Sequence, residues 1–224
     1  MSRVFAIRPE PGFASTVSAG RAMGLDMGGE PLFEVVPNSW DAPDPADFDG
    51  LLLGSANAVR HAGRALEEWR GKSAYVVGAT TGEAARAAGL EVVAIGEGGL
   101  QSLLDTLDAP LRLLRLAGAK RVKLAPPDGI GIEMRTVYRS EPRTISEELA
   151  ASLRQGAIVL LHSAEAARHF AAECSRLDLD RSGISLAALG PRIAAAAGEG
   201  WRSVTSAERP TDAALLELAR EMCK

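Results

Sequence analysis

The chain is short of the residue types on which most cofactor chemistry depends. Its 224 residues include two cysteines and three histidines. Cys174 and Cys223 stand far apart and form no C-x-x-C pair, so they read as reduced, structural thiols of a cytoplasmic protein. His61, His162 and His169 lack metal-ligand spacing, and no metal site is expected. No apolar run reaches the ~18 residues that a membrane span requires. The N-terminal MSRVFAIRPEPG opens on a strand-like run rather than the apolar segment of a signal peptide, which again points to the cytoplasm. With a net charge of −4 and no cluster of Lys and Arg, nucleic acid is not the expected partner. There is no G-x-x-x-x-G-K-[ST] phosphate loop and no G-x-S-x-G elbow, and IGEGGL at 95–100 lacks the spacing of a dinucleotide site. What remains is a cofactor-free site that works by positioning and electrostatics.

Two stretches resemble one another: LLLGSANAVRHAGRAL at 51–66 and VLLHSAEAARHFAAEC at 159–174. Each is an apolar run that ends on a serine and passes into an Ala-rich helical segment. The match extends through Gly78 and Gly190, Gly89 and Gly200, and Leu103 and either Leu215 or Leu216, at an offset of about 110 residues. This pattern predicts a duplicated β-α-β-α-β unit. Strand-like runs alternate with helical ones along the whole chain, at 4–8, 32–37, 50–55, 73–78, 90–96, 111–116, 157–163, 184–190 and 201–206. That rhythm predicts parallel sheets covered on both faces. Capping boxes are read at Thr80 with Glu83 and at Thr144 with Glu147.

The expected fold is therefore α/β, with two similar parallel-sheet domains. One comprises 1–36 with 142–224, and begins with an N-terminal β-α-β at 1–37. The other, 38–137, is inserted into it. The chain crosses near 36–38 and 137–141, where FEVVP and RTVYR predict a short antiparallel ladder serving as a hinge. Ligands of open parallel sheets bind at the carboxyl ends of the strands, where helix N-termini present free N–H groups. Here those ends carry Ser55 and Asn57, Gly78 and Thr81, Ser163, and Gly190 and Arg192. Ser55 and Ser163 also suit the N-cap position, and capping alone accounts for them. His61 and His169 read as mid-helix side chains, whereas His162 precedes Ser163 at a strand end. An anionic small molecule fits such donors in an acidic chain, because the donors are largely backbone. Two other readings stay open: a non-enzymatic, hinged two-lobe binding protein for an anionic small molecule, and a flavodoxin-like carrier. The second is disfavoured by an aromatic content of 4%.

The ordered series Ile7-Arg8-Pro9, LLLGSANAV, YVVGATTGEAARAAGL, TVYR, IVLLHSAEAARHF, LAALGPRIAAAA and ERPTDAALLEL resembles the uroporphyrinogen-III synthase family over nearly the whole chain. The resemblance implies two α/β domains joined by a ladder. It also implies a cytoplasmic, monomeric lyase that needs no metal or cofactor. Its substrate would be hydroxymethylbilane, a linear tetrapyrrole bearing carboxylate arms, cyclised to uroporphyrinogen III with inversion of ring D. Carried over by position, Tyr138 is the acid that assists departure of water, Thr81 matches a cleft-facing Thr, and Ser55 and Ser163 match the helix-capping serines; with Arg8 and the strand-end Asn57, Gly78, Gly190 and Arg192 they are the expected substrate-binding residues. Two departures stand out. Arg192 occupies a place where many members have Thr, and KRVKLAPPDGIG at 120–131 is too rich in Pro and Gly for the helix found there in many relatives.

Overall fold

The computed structural model describes residues 3–224. In chain order the elements are β1 (Arg3–Ala6), α1 (Gly12–Ala22), β2 (Met27–Gly29), β3 (Phe33–Pro37), β4 (Gly50–Leu53), α2 (Ala56–Arg60), β5 (Ser73–Val77), α3 (Ala79–Ala87), β6 (Glu91–Gly96), α4 (Leu100–Leu104), β7 (Leu111–Gly118) and β8 (Ile130–Pro142). They continue as α5 (Glu147–Leu153), β9 (Ala157–Leu161), α6 (Ala164–Arg176), β10 (Ile184–Ala188), α7 (Pro191–Ala196), β11 (Ser203–Ser206) and α8 (Asp212–Met222). Two compact units result: one runs up to Glu34 and resumes at Glu141–Lys224, and the other is Val35–Ser140.

The discontinuous unit holds a five-stranded sheet in the order β11-β10-β9-β1-β2, and all four pairings are parallel. All five residues of β9 are buried, as expected for a central strand covered on both faces. One face packs Val159, Leu161 and Leu186 against Phe170 and Leu153. The other packs Ile158 and Leu160 against Leu215 and Leu216 of α8. Each fully buried Leu or Ile contributes roughly 1.5–3 kcal/mol relative to exposure, so the alternation along β9 serves two cores at once.

The continuous unit holds the order β3-β8-β7-β4-β5-β6. From β8 to β6 the pairings are parallel. In both sheets three strands consecutive in sequence lie side by side (β9-β10-β11 and β4-β5-β6), with further strands beyond the first of the three. Leu51, Leu53, Leu114 and Leu116 face one core with Trp69, and Leu52 and Leu113 face the other with Leu100 and Leu104 of α4.

Two expectations need correction. The second strand of the N-terminal β-α-β is β2, at 27–29, and not the run at 32–37. Its sequence, MGG, offers no hydrophobic alternation to read. Glycine is required there because Gly29 has φ +107°, and a Cβ at that position would lie 2.2 Å from the carbonyl oxygen of Ala6. The run at 33–37 is the edge of the six-stranded sheet, beside β8, where the ladder between the two crossings was expected. Its bonds run antiparallel: Arg143 N–H donates to Leu32 O at 2.9 Å and Asn38 N–H to Val137 O at 2.9 Å, so one index falls as the other rises. Finally, neither capping box forms. α3 starts at Ala79 behind Gly78, with no side-chain cap. α5 is capped by Ser146, whose hydroxyl accepts from Leu149 N–H, so each helix begins off the register that the Thr–Glu pairs would set.

Candidate functional site

In the continuous unit the strand order reverses between β4 and β7: the chain moves outward through β5 and β6 on one side and through β8 on the other. Such a switch point opens a crevice at the carboxyl ends of the strands. A pocket of about 270 Å³ lies there, lined by Gly54 and Ser55 after β4, by Arg115 through Gly118 on β7, by Lys120 and Arg121, and by Tyr138 on β8. Its lining holds three cations and no carboxylate, in a chain whose net charge is −4.

Local irregularity sets the position of Tyr138. The β7–β8 register slips between Ala117 and Gly118, so that Ala117 faces Thr136 while Gly118 faces Tyr138. A bulge of this kind redirects the side chains that follow it. Val137 is buried in the Trp69 core, and Tyr138 packs against that same core, which strict alternation along a strand forbids. Gly118 leaves room for the ring: a Cβ on it would lie 2.6 Å from Tyr138 Cζ and 2.9 Å from the phenol oxygen. His61 comes close as well, with its ring centroid 6.2 Å from that of Tyr138. Burial, and then the charge of Arg60, lower the His61 pKa, so the imidazole beside the phenol is neutral at neutral pH. His61 is not mid-helix as expected, because α2 ends at Arg60 and His61 is its C-cap.

Ser55 caps α2, its hydroxyl accepting from Asn57 N–H at 3.2 Å, and it also lines the pocket. Asn57 accepts from Arg60 Nη1 at 3.4 Å and is not part of the lining. Gly78, at φ +79°, is the residue before α3. Thr81 is 5% exposed and lies outside this pocket. With only five residues in α2 and six in α7, two of the four expected helix dipoles are too short to attract an anion strongly. The segment 119–129 is free of helix, as its Pro and Gly content predicts. It is held in place when Gln101 of α4 receives Ala125 N–H at 2.9 Å and donates back to Ala125 O at 2.8 Å.

In the discontinuous unit, Ser163 caps α6 by accepting from Ala166 N–H at 3.1 Å. Gly190 precedes Pro191 at the start of α7, and Arg192 is exposed. His169 is accounted for structurally, at 2.7 Å from Arg143 O and edge-on to Phe33. Arg8 and His162 converge on a residue the sequence did not reveal, Asp212. Arg8 Nη1 donates to both of its oxygens at 3.0 and 3.1 Å, Thr16 Oγ1 donates to it at 2.7 Å, and His162 Nε2 lies 2.8 Å away. Asp212 opens α8, about 50 residues beyond His162, and only the tertiary fold joins them. Arg8 therefore already has an internal counter-ion.

The hydrogen bond with His162, more than any other influence, holds the Asp212 carboxyl down at about 2 against the opposing effect of burial; Thr16 and the charges of His162 and Arg8 add to this. A carboxylate depressed in the folded state stabilises the fold above its ordinary value of 3.8, and that stability is lost as pH falls toward 2. Acid unfolding followed by circular dichroism should therefore steepen between about pH 4 and pH 2. An Asp212→Asn variant should be less stable at pH 7 and flatter across that window. Parallel curves for the two proteins would show that the network contributes nothing.

Among the described residues no group of three His, Cys, Asp or Glu side chains is placed to hold a metal ion. No helix among them is long and apolar enough to cross a membrane. Cys174 and Cys223 form no disulfide, and burial raises the Cys174 thiol to about 12, which leaves it unreactive.

Two α/β units with largely parallel sheets, one of them with a cationic crevice at its switch point, define the fold class. The family model described as uroporphyrinogen-III synthase HemD matches residues 15–217, and the chain belongs to the uroporphyrinogen-III synthase family. The fold is similar to that of the uroporphyrinogen-III synthetase of Helicobacter pylori 26695, with a TM-score of 0.66 at 18% identity, covering 99% of this chain and 100% of that one. It is also similar to a mutant uroporphyrinogen III synthase of the extremely thermophilic bacterium Thermus thermophilus, with a TM-score of 0.51 at 18% identity, covering 100% of this chain and 99% of that one. Among curated protein sequences no match was found.

Proposed function

We propose that this protein cyclises hydroxymethylbilane to uroporphyrinogen III, with loss of water and inversion of ring D, as a cytoplasmic monomer that needs no metal or cofactor. The observation that carries this reading, within a chain of this family, is the crevice lined by Arg115, Lys120, Arg121 and Tyr138 with no acid among them. A substrate bearing many carboxylates needs such donors, and a partly desolvated crevice strengthens each pairing relative to bulk water. The Tyr138 hydroxyl donates a proton to the departing hydroxyl of the terminal hydroxymethyl group as its C–O bond breaks. The azafulvene that results is attacked by the substituted carbon of ring D, and a spiro intermediate reopens and recloses with that ring inverted. Positioning supplies most of the catalysis, because unguided closure gives the other isomer.

Incubation with hydroxymethylbilane, oxidation and separation of the porphyrins tests the reading. Type III porphyrin in clear excess over the unguided reaction is expected, and type I alone would overturn it. In the discontinuous unit, backbone N–H groups near Ser163 and Gly190, together with Arg192, are the proposed carboxylate donors. Arg192→Ala should raise KM roughly tenfold, in line with the ~1–3 kcal/mol of a charged hydrogen bond. An unchanged KM would make Arg192 a solvated side chain.

A further inference from the structure

Arg115 stands where the strand pattern calls for an apolar residue. Along β7, alternation places positions 113, 115 and 117 on one face, and Leu113 on that face packs with Leu100 and Leu104 of α4. In the sheet, Arg115 is flanked by Leu52 of β4 and Met134 of β8. The residue is 6% exposed. Its Nη1 donates to Val122 O at 3.0 Å, while its Nε is buried without a partner. The other arginine of the strand, Arg112, has an acid within reach, Glu133 at 3.6 Å. Arg115 has none among the described residues, and its near neighbour Arg121, whose charge acts on it unfavourably, donates to Gly118 O, Ala119 O and Thr136 Oγ1. A guanidinium stays protonated at any working pH, and a buried charge without a counter-ion is costly to the fold. Arg115 also lines the pocket, together with Ser55, Gly118 and Tyr138.

We propose that Arg115 is a built-in carboxylate anchor, left without an internal counter-ion so that one carboxylate arm of the substrate completes it in the switch-point pocket. This rests on the proposed function for the identity of the substrate, but not for the anion site itself. It makes Arg115 a specificity-determining residue that fixes which arm is held in the pocket, and thereby how the tetrapyrrole is oriented relative to Tyr138.

The prediction pairs a gain with a loss. Arg115→Met keeps a long apolar stem and removes the uncompensated charge, so its unfolding midpoint should equal or exceed the parent's. Its KM for hydroxymethylbilane, and its Kd for uroporphyrin measured by fluorescence titration, should each rise about tenfold, with kcat within a few-fold of the parent. Arg115→Lys, which retains a cation without the planar fork, should recover part of that loss. The parent's Kd should weaken with added salt more steeply than that of Arg115→Met. A destabilised Arg115→Met that binds uroporphyrin normally would make Arg115 a tie to the Val122 carbonyl and overturn the proposal, as would an unchanged KM and Kd in a stable variant. If the parent yields only type I porphyrin while uroporphyrin binding still depends on Arg115, the proposed function falls and the anchor stands.

Discussion

Replacing Tyr138 by phenylalanine is expected to lower kcat by roughly 10²-fold, the low end of general-acid contributions. Phenylalanine keeps the ring that packs against the Trp69 core, so stability should change little. What is lost is the hydroxyl, placed at the pocket by the register slip opposite Gly118. KM should shift less than kcat, because an interaction that strengthens as the C–O bond breaks belongs to the transition state. Single-turnover kinetics on the folded variant check this. Near-normal turnover would remove Tyr138 as the acid, and orientation by the pocket, with a substrate carboxylate or bound water as proton donor, would then carry the rate. The isomer ratio separates two tasks: type III product from a slow variant would show that ring inversion is directed by the pocket and not by the phenol.

Gly118→Val should act on the same hydroxyl from the opposite strand, with a loss of roughly 10²-fold in kcat/KM, the size expected when a catalytic group is displaced by about 1 Å. The Gly118 backbone does not require glycine, since its φ lies outside the left-handed region. The conflict is with the Tyr138 ring, 2.6 Å from where a Cβ would stand. Because that ring is only partly buried, it can swing outward, and the cost to stability should stay near ~1–2 kcal/mol, toward the low end for overpacking. Gly118→Ala should show a weaker form of the same loss. If Gly118 works through Tyr138, the double variant with Tyr138→Phe should be no slower than the slower single variant. Additive losses would show instead that Gly118 admits substrate directly.

Local pattern was enough for the α/β class and most of the strands, because buried parallel strands are short apolar runs that need no partner to be recognised. It was enough, too, for Ser55 and Ser163 as helix caps, since a cap is a contact across two or three residues. Tyr138 was reached only through resemblance to a family.

Other features became legible only in three dimensions. β2 was hidden because it holds one buried apolar residue, Met27, followed by two glycines, of which Gly29 allows close approach to β1. The run at 33–37 was legible as one side of the ladder with β8, but not as a strand outside the N-terminal β-α-β, because an apolar run does not name all its neighbours. Arg115 looked like one more charge in LRLLRLAG. Its burial, its unpaired Nε and the absence of an acid nearby depend on β4, β8 and the 119–129 segment closing around it. Asp212 joined Arg8 and His162 in the same way, across a sequence separation of 204 residues in one case and 50 in the other. Electrostatic roles of this kind depend on distances and on what excludes water. Neither is a property of a residue's neighbours in sequence, so both appear only once the sheets are assembled.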